Sequence, residues 1–270
     1  MKKTLVYSIL VIAVIVSLFP FYFMFVSATN MNIDILSYPP KLVVGSNLGR
    51  NFGILASKID IWRVMFNSLL IAVTYTVTTL LLYSAAGYAL AKYEFKGKTV
   101  IFGFIMMTMM LPQQVLYIPL FKLMNQLGLA NTYSAVILPS LANAFGIFLM
   151  RQNMLSFPTA LIEAARIDGY NEISTFFKIV LPNMKASLGA LGIYMFTSMW
   201  NNFMWPLIIL ATKDMYTFPV ALAVLDGNPN KKDFAVIMLA TSLATLPILI
   251  IFIIFQKQFV SGVMGGAVKE

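Results

Sequence analysis

Neither cysteine nor histidine occurs anywhere in this chain. Without cysteine there is no disulfide, no thiolate nucleophile and no sulfur-held metal. Without histidine the commonest metal ligand and the commonest general base are both missing, so a histidine-dependent hydrolase is excluded. Charge is scarce as well. Asp, Glu, Lys and Arg make up 11% of the 270 residues, while 60% are hydrophobic and the mean hydropathy is +0.83. A soluble domain of this size does not need so much apolar surface, so the composition describes a polytopic membrane protein. The net charge of +9 does not point to nucleic acid, because the basic residues are scattered between apolar runs.

Six charge-free apolar runs stand at about 5–28, 64–91, 99–121, 135–150, 186–212 and 234–256. Most exceed the roughly 20 residues that a helix needs to cross the hydrocarbon. They predict an all-α polytopic membrane protein with six transmembrane helices. Lys2 and Lys3 precede the first run as in a signal peptide, but the apolar stretch is too long for a cleaved one, so an uncleaved first span is expected. Six spans put both termini and the 92–98 and 151–186 loops on one side. Those segments carry eleven of the 19 Lys and Arg residues, a weak positive-inside bias.

No Asp, Glu, Lys or Arg interrupts any of the six runs. Ion-coupled transporters usually keep such residues in their pathway, so energy for transport is expected to enter from elsewhere. Gly97-Lys98-Thr99 ends like a Walker A loop, but the earlier glycine of that motif falls on Lys92. The expectation is a chain with no catalytic residue, no metal site and no ATPase site of its own.

The most informative segment lies between the fourth and fifth runs. Pro158 suits a helix start, and good helix formers follow it. Gly169 can take the left-handed conformation that ends a helix. Asn171 is placed to cap a second helix, with Glu172 at its positive end. Ile173, Phe176, Phe177, Val180 and Leu181 form one apolar stripe at helical spacing. Taken alone, two such helices also describe an amphipathic hairpin lying on a membrane.

Glu163-Ala164-Ala165, Gly169 and the Ile179-Val180-Leu181-Pro182 segment that follows match E-A-A-x3-G-x9-I-x-L-P at every fixed position. That pattern resembles the loop motif of bacterial ABC importer permeases. From about Asn67 onward the chain is similar to the carbohydrate-uptake branch of that family, which includes the second membrane subunit of the maltose transporter and permeases for arabino-oligosaccharides and lactose. Leu111-Pro112-Gln113 resembles the family's third-span kink, Trp200-Asn201-Asn202-Phe203-Met204-Trp205-Pro206 its aromatic tract, and the segment from Gln256 and Lys257 to Gly266 and Ala267 the C-terminal signature of the sugar branch. One departure is Ala186, where the family often has proline.

The resemblance implies an organisation and a set of roles. Residues 1–63 would hold the first helix and an extracytoplasmic segment, 64–256 a five-helix permease core with a coupling loop at 151–186, and 257–270 a cytoplasmic tail. Termini and loop would face the cytoplasm from the bacterial inner membrane. A cytoplasmic coupling helix carrying Glu163, Ala164, Ala165, Arg166 and Asp168, with Gly169, Leu181 and Pro182 behind it, would dock in a cleft of the ATPase. Ala164 and Ala165 would keep one face slim. Gln256, Lys257, Gly266 and Ala267 would reach the ATPase pair. The implied partners are a second permease subunit forming a heterodimer, two copies of an ABC ATPase that bind ATP and Mg, and an extracytoplasmic sugar-binding protein. The implied substrate is a sugar or oligosaccharide; a phosphorylated one such as glycerol phosphate would call for Arg or Lys within the spans, and a peptide permease is the other alternative.

A sugar pathway needs neutral hydrogen-bonding groups and flat aromatic faces. Asn67, Asn143, Tyr194, Trp200 and Asn201 are the intramembrane candidates, together with Trp205. The same residue types also glue helices together or sit at the membrane interface.

Overall fold

The computed structural model describes residues 2–226 and 232–264, and every regular element among them is helical. In chain order the α-helices are α1 (Lys2–Ala28), α2 (Asn32–Leu36), α3 (Leu48–Lys58), α4 (Ile61–Lys92), α5 (Lys98–Thr108), α6 (Gln113–Gln126), α7 (Tyr133–Ser140) and α8 (Ala144–Leu155). They continue as α9 (Thr159–Ile167), α10 (Glu172–Thr175), α11 (Leu181–Asn183), α12 (Lys185–Trp200), α13 (Met204–Ile209), α14 (Phe218–Asp226) and α15 (Phe234–Met264).

Three helices are long and apolar enough to cross a membrane unbroken: α1, α4 and the Phe234–Lys257 part of α15. They correspond to the first, second and sixth runs. Three further helix pairs, each bent at a break, are apolar enough when taken together, so the described residues hold three spans, or up to six if each bent pair is one span. The third run is not one helix, because α5 and α6 meet at 97°. Pro112 is the cause: it has no N–H to donate, and it holds an extended conformation at φ −61°, ψ 127°. The fourth run divides into α7 and α8 at 49°, with Asn143 capping the second half.

The fifth run departs most from expectation. Instead of continuing from 186 to 212, α12 stops at Trp200, and Asn201, Asn202 and Phe203 separate it from the six-residue α13. Pro206 explains the stop, since its ring would collide with the carbonyl of Asn202 in a continuous helix. At its other end α12 bends 82° from the Glu172–Asn183 segment.

The chain forms two compact units. One comprises the residues up to Phe66 with Thr217–Leu249; the other comprises Asn67–Tyr216 with the residues from Ile250 on. In the first unit the link after α1 is organised by two buried asparagines. Asn51 Nδ2 donates to Ala28 O and Asn30 O, and Asn30 Nδ2 donates to Val26 O and Val43 O, all at 2.9 Å. Asn32 ties α2 to the start of α15, donating to Lys232 O at 2.9 Å and accepting from Ala235 N at 3.1 Å.

The second unit is built on close approach between α4 and α8. A Cβ on Gly87 would lie 2.8 Å from both Arg151 N and Met150 Cβ, and a Cβ on Gly146 would lie 2.1 Å from the Tyr83 ring. Glycine at both places lets the backbones meet, as small residues do between membrane helices. The Tyr83 hydroxyl donates to Leu141 O at 2.9 Å, supplying a partner to a carbonyl at the α7–α8 break.

Candidate functional site

The 156–184 segment is a helical hairpin whose outer helix is α9. Ile162 and Ala165 are buried, whereas Glu163, Ala164, Ile167 and Asp168 are exposed, so positions i, i+1, i+4 and i+5 make the outward face. Ala165 therefore does not join Ala164 on a slim docking face: at 4% exposure its methyl packs inward against the protein. The stripe expected over Ile173–Leu181 is also divided. Thr175, Phe176, Val180 and Met184 face inward, while Ile173 and Phe177 are 70% and 52% exposed. A π-helical turn spans Phe176–Val180.

The turn between the arms has the geometry that its residues dictate. Gly169 sits at φ +82°, Gly169 N donates to Arg166 O at 3.1 Å, and Tyr170 N donates to Ala165 O at 2.9 Å. This is a Schellman motif, which satisfies the carbonyls at the end of α9. Asn171 Oδ1 then accepts from Ser174 N at 2.8 Å and caps the next helix. Leu181 and Pro182 open α11, with Pro182 at a position where no intrahelical N–H is required.

Electrostatics fix the hairpin against the end of α4. Arg166 Nε donates to Glu172 Oε1 at 2.9 Å, so Arg166 pairs across the turn with Glu172. The Tyr93 hydroxyl donates to the other oxygen of Glu172. These two donors, Tyr93 first, hold the Glu172 carboxyl below its ordinary 4.5. Burial, and then the bond to Glu172, push the Tyr93 hydroxyl well above its usual range. At the opposite end of α9, Lys92 Nζ donates to Phe157 O at 2.6 Å and reaches Thr159 Oγ1 at 3.4 Å. Arg151 Nε donates to Leu90 O at 3.3 Å and stacks its guanidinium 4.2 Å above the Phe102 ring.

The helix α9 is thus exposed on its outer face and held by its neighbours at both ends. The family model for binding-protein-dependent transport system inner membrane components matches residues 83–265, which include the whole hairpin. The chain belongs to this family.

Among its relatives, the lactose transport system permease protein LacG of Rhizobium radiobacter is 38% identical over 260 residues, 96% of this chain and 94% of LacG. The arabinooligosaccharides transport system permease protein AraQ of Bacillus subtilis is 41% identical over 208 residues, 77% of this chain and 74% of AraQ. In fold, the chain is similar to one from the crystal structure of a bacterial ABC transporter involved in the import of the acidic polysaccharide alginate. The TM-score is 0.83 at 22% identity, covering 96% of each chain. The protein is thus an inner-membrane transport component with an all-α polytopic fold.

The intramembrane candidates separate into two groups. Asn67 is fully buried; its Nδ2 donates to Asp214 O at 2.9 Å and Tyr216 O at 3.0 Å, and its Oδ1 accepts from Tyr133 Oη at 2.6 Å. Those bonds make it a staple between α4 and the segment after α13, and it does not line an open surface. Trp200 is 2% exposed and stacked on Phe196, with centroids 5.8 Å apart, which places it in the core. Trp205 is buried too, with its indole N–H donated to Ala135 O at 2.9 Å.

Asn143, Tyr194 and Asn201 remain accessible. Asn143 Oδ1 caps α8 through Phe145 N and Gly146 N, at 3.0 and 3.4 Å, and the Phe145 ring lies 4.9 Å from that of the exposed Tyr194. Asn143 and Tyr194 therefore share one neighbourhood, through Phe145. Asn201 is exposed at the end of α12.

Gln256 and Lys257 continue the helix α15, exposed, whereas Gly266 and Ala267 lie outside the described residues. Sequence reasoning missed Lys92 and Tyr93. Lys92 reads as a topology charge, and nothing in the local pattern around Tyr93 signals a partner nearly eighty residues away.

Proposed function

We propose that this chain is one of two membrane subunits of an importer for a sugar or an oligosaccharide. A second permease subunit pairs with it as a heterodimer, two copies of a separate ABC ATPase bind ATP and Mg, and an extracytoplasmic sugar-binding protein delivers substrate. This subunit itself hydrolyses nothing. The observation that carries the reading is similarity to a lactose permease along nearly the whole chain. Uncharged apolar runs and accessible amide and aromatic groups at Asn143, Tyr194 and Asn201 suit a neutral polyhydroxylated ligand better than a phosphorylated one.

In this reading the hairpin and both termini face the cytoplasm. The α9 face bearing Glu163, Ala164 and Asp168 enters a basic cleft of the ATPase, and closure of the ATPase pair on ATP displaces α9. That displacement opens the membrane cavity alternately to each side. The tail after Gln256 extends toward the ATPase pair. Asn143, Tyr194 and Asn201 contact the sugar, whereas Asn67 and Trp200 hold the frame around them.

The test is reconstitution of this chain with its partner subunits in vesicles. Uptake of lactose and arabino-oligosaccharides is measured beside uptake of glycerol phosphate and a peptide, with and without ATP. ATP-dependent uptake of a sugar supports the reading; ATP-dependent uptake of only the phosphate or peptide overturns the substrate class, and uptake by this chain alone overturns the partnership.

A further inference from the structure

We infer that Lys92 and Tyr93 are positioning residues that carry the docked helix on the end of α4, so that α4 moves together with the ATPase. The inference rests on the proposed docking role of α9. By sequence, the hairpin is joined only to α8 and α12, and those two helices would be the obvious recipients of its motion. The geometry favours a different path.

Toward α12 the chain passes through the π-turn at Phe176–Val180 and then an 82° bend at Met184. The bend interrupts the helix, so no continuous rod joins the hairpin to α12. Toward α4 the connections are short and polar. Lys92 holds the carbonyl of Phe157, just before α9, at 2.6 Å, and Tyr93 holds Glu172, just after it. Glu172 in turn holds Arg166 within α9. One turn earlier on α4, the Tyr88 ring lies 5.5 Å from that of Phe176. Both ends of the helix are thereby gripped from the last residue of α4 and the one that follows it. The seat is itself held: Lys98 Nζ donates to Tyr93 O at 2.9 Å and pairs with Glu94 at the same distance. The helix α8 belongs to the same body, because Gly87 lets it approach α4 closely and Arg151 bonds Leu90 O. α4, α8 and α9 then form one lever, hinged toward α12 at the Met184 bend.

A lever and a mere scaffold differ in their response to nucleotide. In the assembled importer, cysteines introduced at Lys96 and Ile173, both exposed, accept spin labels with no competing thiol in this subunit. The expected wild-type result is one narrow distance, the same without nucleotide and with ATP plus vanadate. Lys92→Met combined with Tyr93→Phe should make that distance nucleotide-dependent, while the amount of ATPase bound per permease stays within about twofold. Lys92→Arg, which retains a donor for Phe157 O, should behave as wild type. A wild-type distance that shifts with ATP, or a double variant that stays insensitive to it, overturns the inference. Failure of the docking reading shows separately, as full ATPase retention by Glu163→Ala.

Discussion

The Tyr93 hydroxyl donates to one oxygen of Glu172 while Arg166 holds the other at 2.9 Å, so the carboxylate joins the end of α4 to the outer helix of the hairpin. Neither group is close to Glu172 in the ordinary i,i+4 sense. The link is made by the Schellman turn at Gly169, which folds Arg166 back toward the following helix.

The pH dependence of this link has a definite sign. The folded carboxyl lies below its ordinary 4.5, so its contribution is complete above that value and is lost as pH falls through the lowered one. Because Glu172 is exposed, the contribution is expected to be at most about 1 kcal/mol. Thermal unfolding of purified wild type and Glu172→Gln should differ at neutral pH, and the gap should close under acid. A gap that widens on acidification contradicts this assignment.

The contact between Gly146 and Tyr83 gives a packing prediction. Gly146→Ala places a methyl where the Tyr83 ring stands, 2.1 Å from the nearest ring atom. Overpacking of this kind costs about 1–3 kcal/mol. Thermal stability should fall, and Tyr83→Ala in the same chain should recover part of the loss. Equal destabilisation with and without the Tyr83 ring would mean that the collision is not its source.

Much of this was legible in the sequence, and what was hidden has physical causes. Gly169, Asn171 and Pro112 each impose a local backbone requirement, so a positive-φ turn, a helix cap and a broken span follow from the residue types themselves. The six apolar runs locate the spans because hydrocarbon thickness sets a minimum length. Burial is different, because hydropathy cannot tell an amide facing a cavity from one stapling two segments. Asn67 was therefore indistinguishable from Asn201 until Asp214, Tyr216 and Tyr133 were seen around it. The inward turn of Ala165 and the division of the 173–181 stripe could not be read either, because both depend on what packs behind the hairpin.

Asn67 and Asn201 should accordingly respond in opposite ways to removal of their amides. Asn67→Ala leaves two carbonyls and a tyrosine hydroxyl short of a partner, at a cost of about 1–3 kcal/mol for a buried group, and should lower the permease level in the membrane. Asn201→Ala should leave level and assembly unchanged and reduce sugar uptake. Uptake is to be normalised to permease amount; a normal rate for Asn201→Ala assigns that residue to packing alone.

Gly169→Val probes the turn itself. A β-branched side chain at φ +82° is strained by about 1–2 kcal/mol or more, and relief requires opening the Schellman motif. The variant should insert normally, because the turn lies outside all six apolar runs, yet present α9 at the wrong angle. Susceptibility of the hairpin to proteolysis in membranes should rise, and a wild-type digestion pattern would show that the turn tolerates the substitution.

The account stands on α9 being the element that holds the ATPase. Its most direct test is the amount of ATPase that co-purifies with this subunit from membranes of equal permease content, compared between wild type and Glu163→Ala. Glu163 is exposed on the outward face and has no ion pair among the described residues, so its removal should reduce the bound ATPase severalfold while the permease level stays the same. Wild-type recovery of the ATPase with Glu163→Ala would contradict the account.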